Sequence, residues 1–183
     1  MTPRLLEQYS QHVAGALTEQ FGYKNRMAIP RLEKIVVSMG IGQASTDQAH
    51  LDTALQQLAD ITGQRPVVTL AKVSISNFKL RQGMKVGLKV TLRRERMWEF
   101  LDRLVSLAIP RVKDFRGLNP SAFDGRGNYN MGLVEQSVFP EIDPAKLTFT
   151  QGMNIAMHTS AKTDEEARAL LSLLGLPFRT EDQ

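Results

Sequence analysis

Between Asp60 and Glu95 the chain carries no acidic residue, while Arg65, Lys72, Lys79, Arg81, Lys85, Lys89, Arg93 and Arg94 are all cationic. Residues of that type in that density hold anions, above all the phosphates of a nucleic acid, where Lys and Arg supply most of the affinity. From Met84 to Leu92 the cations alternate with apolar residues. Strand side chains point to opposite faces in turn, so Met84, Val86, Leu88, Val90 and Leu92 share one face, and Lys85, Gly87, Lys89 and Thr91 share the other. One face packs a core and the other offers charge and a hydroxyl. The preceding segment, Ser74 to Gly83, combines small polar donors, Phe78 and three nearby cations, and its final glycine suits a tight turn. Such a loop can donate hydrogen bonds to phosphate or sugar. The plainer reading of the same run is a solvated strand face followed by an ordinary loop.

Catalytic constellations are absent from the sequence. His12, His50 and His158 fall on different predicted elements with no metal-ligand spacing. There is no cysteine to act as nucleophile, form a disulfide or bind zinc, and no GxSxG elbow. Asp114 and Asp124 are the remaining candidates for general acid or base, and each has arginines close in sequence. Asp124 to Asn130 superficially resembles a calcium loop, but Arg126 occupies the third position and the closing glutamate is misplaced. No metal and no cofactor are assigned. Gly40-Ile-Gly42-Gln-Ala-Ser45 after a β-branched run begins like a phosphate loop, yet Ser45 stands where a dinucleotide fingerprint needs its third glycine. A nucleotide-binding enzyme built on Gly40 and Gly42 is therefore only the alternative reading.

The elements that must position these residues follow from periodicity. Met1 to Gly22 reads as an amphipathic helix, Glu33 to Met39 as a strand, and about Asp47 to Thr62 as a helix with Leu51, Leu55, Leu58 and Ile61 on one face. Glu95 to Ala108 is a further helix, and Trp98 on it is either a packing residue or a base-stacking one. Pro110 to Gly132, rich in glycine and arginine, reads as a long irregular excursion of the kind that usually carries function. Leu133 to Phe139 and Leu147 to His158 read as strands, and Thr163 caps a last helix whose first turn is acidic. The order implies an α+β fold: one domain spanning residues 1–183, with a mostly antiparallel sheet and its helices packed on one face.

Composition agrees. A chain of 183 residues with 42% hydrophobic content can bury a sizeable core, and its net charge of +4 is concentrated in the middle, because the C-terminal segment is acidic. A polyanion partner is favoured over a membrane surface. The N-terminus lacks the apolar core of a signal peptide and no apolar run is long enough to span a bilayer, so a cytoplasmic protein is expected.

MGIGQA after the first strand, ISNFKLRQGMKVGLKVTLR, ERMWEFLDRLVSLAIPRVKDFRGLNPSAFDGRGNYNMGL, EQSVFPEI and AKTDEEARALLSLLGLPFR together resemble the bacterial form of ribosomal protein five of the large subunit. The resemblance runs from roughly Leu5 to Arg179. It implies a structural protein, not an enzyme, that binds 5S rRNA and helps attach it in the central protuberance, beside large-subunit rRNA and neighbouring proteins there. It further implies contact with the P-site tRNA and a bridge to a protein in the head of the small subunit. Carried over by position, 5S rRNA contacts fall on Ser38, Gln64, Arg65, Lys89 and Thr91. A tRNA-facing loop contains Ser76, Asn77, Phe78, Lys79 and Arg81, and a bridge loop contains Arg111, Lys113, Asp114 and Arg116. The family usually has Asn at the place of Ser38, whose hydroxyl is shorter and presents no separate NH2 donor. The loops near 74–83 and 111–128 are expected to be mobile until RNA or a subunit partner engages them.

Overall fold

Alternation of apolar and polar residues places the first strand, β1 (Leu32–Gly40), at the centre of the sheet in the computed structural model, which describes residues 2–42, 48–147 and 149–179. Ile35, Val37 and Met39 of β1 are buried, and the residues between them are half-buried. On one side β1 pairs with β3 (Lys85–Leu92), Ile35 opposite Leu92, Val37 opposite Val90 and Met39 opposite Leu88, so three core pairs line up across two strands. On the other side it pairs with β5 (Met153–Thr159), where Ile155 and Met157 continue the same rows. Strand β2 (Val67–Leu70) forms one edge beside β3, and β4 (Tyr129–Leu133) the other beside β5. The order is β2-β3-β1-β5-β4 and every neighbouring pair is antiparallel. Fully burying each aliphatic side chain of these rows contributes roughly 1.5–3 kcal/mol.

The helices lie on the core face. The first is one continuous run, α1 (Arg4–Gln8), a π-helical turn Tyr9–Val13 and α2 (Ala14–Phe21), ending at Gly22 with φ +68°. Helix α3 (Gln48–Thr62) buries Leu51, Ala54, Leu58 and Ile61. Helix α4 (Arg94–Arg103) continues through a π-helical turn Leu104–Ala108 and buries Met97, Phe100, Leu101 and Leu104. Trp98 is 5% exposed and its ring centre lies 5.8 Å from that of Tyr9, so it is a packing residue. Helix α5 (Asp164–Leu173) starts as its sequence predicts: the Thr163 hydroxyl accepts from the Glu166 N–H, and Ala167, Leu170 and Leu171 turn inward. Arg103 ties two of these elements together by pairing with Glu141 and donating to the Ile61 carbonyl at 2.9 Å.

Two strand boundaries differ from the sequence reading. The edge strand is Tyr129–Leu133, and the segment read as a strand from Leu133 to Phe139 turns away through a short 3-10 helix, Gln136–Val138. Gln136 explains the departure. Its side chain is fully buried, donates to the Phe149 carbonyl at 2.8 Å and accepts from the Gln151 N–H at 2.6 Å, doing by side chain what a strand would do by backbone. The last strand likewise begins at Met153 and not at Leu147, because residues up to Gln151 are held by Gln136.

Candidate nucleic-acid interface

The face of the sheet turned away from the core is where the polar members of each alternating strand collect. Register sets out its rows. Val67 stands opposite Lys89, Lys89 opposite Ser38, Ser38 opposite Asn154, and Asn154 opposite Gly132, a single line across all five strands. A second line runs Thr91, Val36, Ala156, Asn130, and Lys34 faces His158 beyond it. Lys89, Asn154 and Asn130 are exposed, while Ser38, Thr91, Lys34 and His158 are half-buried. Between the polar groups lie the small residues Gly87, Gly132 and Ala156 and the larger Val36 and Val67.

Gly87 is the tightest point of this face. A Cβ there would stand 2.5 Å from the Met39 carbonyl oxygen and 3.2 Å from the Thr69 hydroxyl, so only glycine lets β3 close on β1 and β2 at this level. Gly40 is its partner in the ladder, and Ile41 continues the pairing by donating to the Val86 carbonyl at 2.9 Å. The glycines read as the start of a phosphate loop are thus, at Gly40, part of the sheet. Residues 43–45 of that motif lie outside the described residues.

Gln64 and Arg65 follow α3 and lead into β2. The Gln64 amide donates to the Thr91 carbonyl at 3.5 Å, which brings these two site residues together although 27 positions separate them, and Arg65 is exposed beside them. Ser38, Lys89 and Thr91 share the outer face itself. All five residues carried over for 5S rRNA contact therefore cluster at the β2-β3-β1 side of the sheet.

His158 reports the electrostatics of this face. Partial burial first, then Lys34 and more weakly Lys89, push its pKa below the usual histidine value, while Asp124 and Glu33 oppose the shift, so desolvation decides the direction. Lys34, Asn130 and Asn154 were not singled out in the sequence, and His158 was considered there only as a metal ligand. Only long-range register brings them together on one face, Lys34 from β1, Asn130 from β4, and Asn154 and His158 from β5.

Beyond the sheet, β2 and β3 extend into a hairpin. Ala71 and Met84 are joined by an N–H to carbonyl bond of 2.8 Å, Ile75 and Leu80 exchange bonds of 2.9 and 3.0 Å, and the Ser74 hydroxyl accepts from the Gln82 N–H at 2.9 Å. Lys79 takes a left-handed turn at φ +53°. Ser76, Asn77, Phe78, Lys79 and Arg81 are exposed at this tip, and Phe78, 72% exposed, has its ring in solvent between cations.

The segment after α4 forms the third group. Arg111, Lys113, Asp114 and Arg116 are exposed, and Asp114 adopts φ +52°. Further along, Asp124 is committed to structure. Its carboxylate accepts from the N–H groups of Arg126 and Asn128 at 2.9 and 3.0 Å and from the Asn128 side chain at 2.7 Å, which holds its pKa below the usual carboxylate range. A carboxylate stabilised in its charged form is a poor general acid. No hydrogen bond links the sheet face, the hairpin tip and the 111–116 segment to one another among those of the described residues.

Two family models match the chain, one described as ribosomal protein L5 over residues 25–81 and one as the ribosomal L5P family C-terminus over residues 85–178. The boundary between them falls just before β3, yet β3 pairs with both β2 and β1, so the two matched stretches share one sheet. Among curated proteins, the chain is 57% identical over 175 residues to "Large ribosomal subunit protein uL5" of Caldanaerobacter subterraneus subsp. tengcongensis, covering 96% of this chain and 98% of that one. It is 58% identical to the protein of the same name from Thermus thermophilus, covering 96% of each chain. To that of Rubrobacter xylanophilus it is also 58% identical, covering 96% of this chain and 98% of the relative.

Proposed function

The chain belongs to the ribosomal protein L5 family, a structural component of the large ribosomal subunit, and from that premise we propose that it binds 5S rRNA through the outer face of its sheet. The observation that carries the reading is the line Lys89, Ser38, Asn154 on the outer face of the sheet, bordered by Thr91, Gln64 and Arg65. Short polar groups on this face suit riboses and phosphates, including the 2′-hydroxyls that distinguish RNA, and no pair of aromatic rings stands among the residues of these rows to stack bases. Recognition then depends on the shape of the folded RNA, with Lys89 and Arg65 supplying charge.

On the same reading the hairpin tip, with Ser76, Asn77, Phe78, Lys79 and Arg81, meets the P-site tRNA. The 111–116 segment, with Arg111, Lys113, Asp114 and Arg116, faces a protein in the head of the small subunit. Large-subunit rRNA and the proteins of the central protuberance are its other neighbours, in the cytoplasm, and its role is architectural, without catalysis. Both loops become ordered on engagement, and hydrogen exchange of the free protein against the RNA complex checks that point.

The test is a mobility-shift titration against 5S rRNA with tRNA as competitor, at two salt concentrations. Preferential binding to 5S rRNA that weakens with salt is the expected result. Equal and weak binding to both RNAs would reduce the sheet face to a generic polyanion surface.

A further inference from the structure

We propose that the groove beside the free edge of β4 binds a short extended segment of a partner protein, in which an apolar side chain is adjacent to an acidic one. The proposal rests on reading the 111–116 segment as protein-facing, and it is independent of the RNA reading of the sheet.

Strand β4 is an edge, and its backbone direction can be deduced. The Asn130 N–H donates to the Ala122 carbonyl at 3.1 Å, on the side away from β5, and Phe123 bridges Tyr129 in antiparallel fashion. Successive peptide groups of a strand point to alternate sides. The register between β4 and β5 is regular from Tyr129 to Leu133, so Gly132 directs its N–H and carbonyl to the same open side as Asn130. The chain therefore adds its own strand-like segment to this edge as far as Asn130 and then leaves it. A second extended chain can continue the addition at Gly132, a common mode of peptide recognition.

What lies beside Gly132 is apolar. A groove of about 380 Å3 is lined by Ile109, Val112, Phe115 and Leu118 on one side and by Met131 and Leu133 of β4 on the other. Ile109, Leu118 and Leu133 are buried and form its floor, while Val112, Phe115 and Met131 are half-buried and form its walls. Arg111, Lys113 and Arg116 are interleaved with these residues and exposed, against the single acid Asp114. The strand edge supplies backbone hydrogen bonds, the groove takes an apolar side chain, and the cations select a neighbouring Asp or Glu. A nucleic acid satisfies the cations but places its charged backbone against Phe115 and Val112, so the lining favours a peptide.

The experiment pans a phage-displayed library of random linear peptides against the full chain, then measures the selected peptides by fluorescence anisotropy and by 15N NMR. Expected are saturable peptides with an acidic residue beside an apolar one, a shift and slowed exchange of the Gly132 amide on binding, and affinity reduced about tenfold by Arg116→Glu, a change of ~1.4 kcal/mol. Phe115→Ala should weaken binding as well. Arg116→Glu alters an exposed residue, so it remains informative if Phe115→Ala fails to fold. The proposal is overturned if no peptide saturates, if the Gly132 amide does not respond to peptide, or if Arg116→Glu leaves affinity unchanged. Affinity of Arg116→Glu for 5S rRNA, read at the sheet face, should equal that of the parent chain. Loss of RNA binding in the parent chain itself would count against the sheet-face reading alone.

Discussion

Ser38 and Lys89 stand directly opposite each other on β1 and β3, on the face of the sheet turned away from the core. A short hydroxyl beside a long cation presents a phosphate with charge from one side and one weak donor from the other. The family resemblance implies Asn at the place of Ser38, and its amide would add a longer, two-hydrogen donor next to the same lysine. Ser38→Asn should therefore tighten binding to 5S rRNA by roughly two- to tenfold, the worth of a net hydrogen bond of ~0.5–1.5 kcal/mol. A mobility-shift titration of both proteins checks this. Unchanged or weaker binding would mean that position 38 does not touch the RNA.

Lys89 is expected to contribute differently, through counterion release. If its ammonium meets one phosphate, Lys89→Ala should lower the slope of log affinity against log salt by about 0.9. The change should be similar for any RNA the sheet face binds, because a phosphate contact carries no sequence information. Titrations at four or five salt concentrations measure the slope, and an unaltered slope would remove Lys89 from the interface.

Much of this face was legible in the sequence because β3 announces itself. Leu88, Val90 and Leu92 alternate with Lys89 and Thr91 in strict period two, and that alternation survives in the fold as buried and outward rows. The strand at the far edge was not legible. Tyr129 to Leu133 contains Asn130 and Gly132, residues that favour turns, so it read as the tail of a loop, while the more apolar Leu133 to Phe139 read as the strand. Gln136 decides between them, and nothing local reveals that a glutamine will be fully buried with its amide bonded to residues 149 and 151. Asn154 and His158 escaped for a related reason. They belong to the face only because β5 pairs with β1, a relation between positions more than one hundred residues apart.

Gly87 should tolerate no side chain. A Cβ 2.5 Å from the Met39 carbonyl cannot be relieved by a rotamer change, since the obstacle is backbone, and β3 must then move away from β1. Gly87→Ala is expected to destabilise the protein by about 1–3 kcal/mol, as overpacking does, and to weaken RNA binding by distorting the sheet between Thr69 and Gly40. Urea unfolding gives the first quantity and the RNA titration the second. Parent-like stability would show that the strands have room that their spacing denies.

His158 predicts the sign of a pH effect. Its folded-state pKa lies below the ordinary value of 6.5, chiefly because burial disfavours the imidazolium and Lys34 repels it. The unfolded chain therefore binds the proton more readily than the folded one, and stability must rise with pH wherever the two states differ in protonation. Going down from neutral pH, this contribution to stability starts to fall near the unfolded value and stops falling below the folded one. The carboxylates of Asp124 and Glu33 oppose the shift without reversing it. Replacing the ring in His158→Gln removes the titration and should flatten the dependence of Tm on pH between about 5 and 7 while leaving the Tm above pH 7.5 little altered. Thermal unfolding of both proteins across that range is the measurement. A parent curve that rises as pH falls from 7 would require His158 to be stabilised as a cation, against the desolvation that sets its shift.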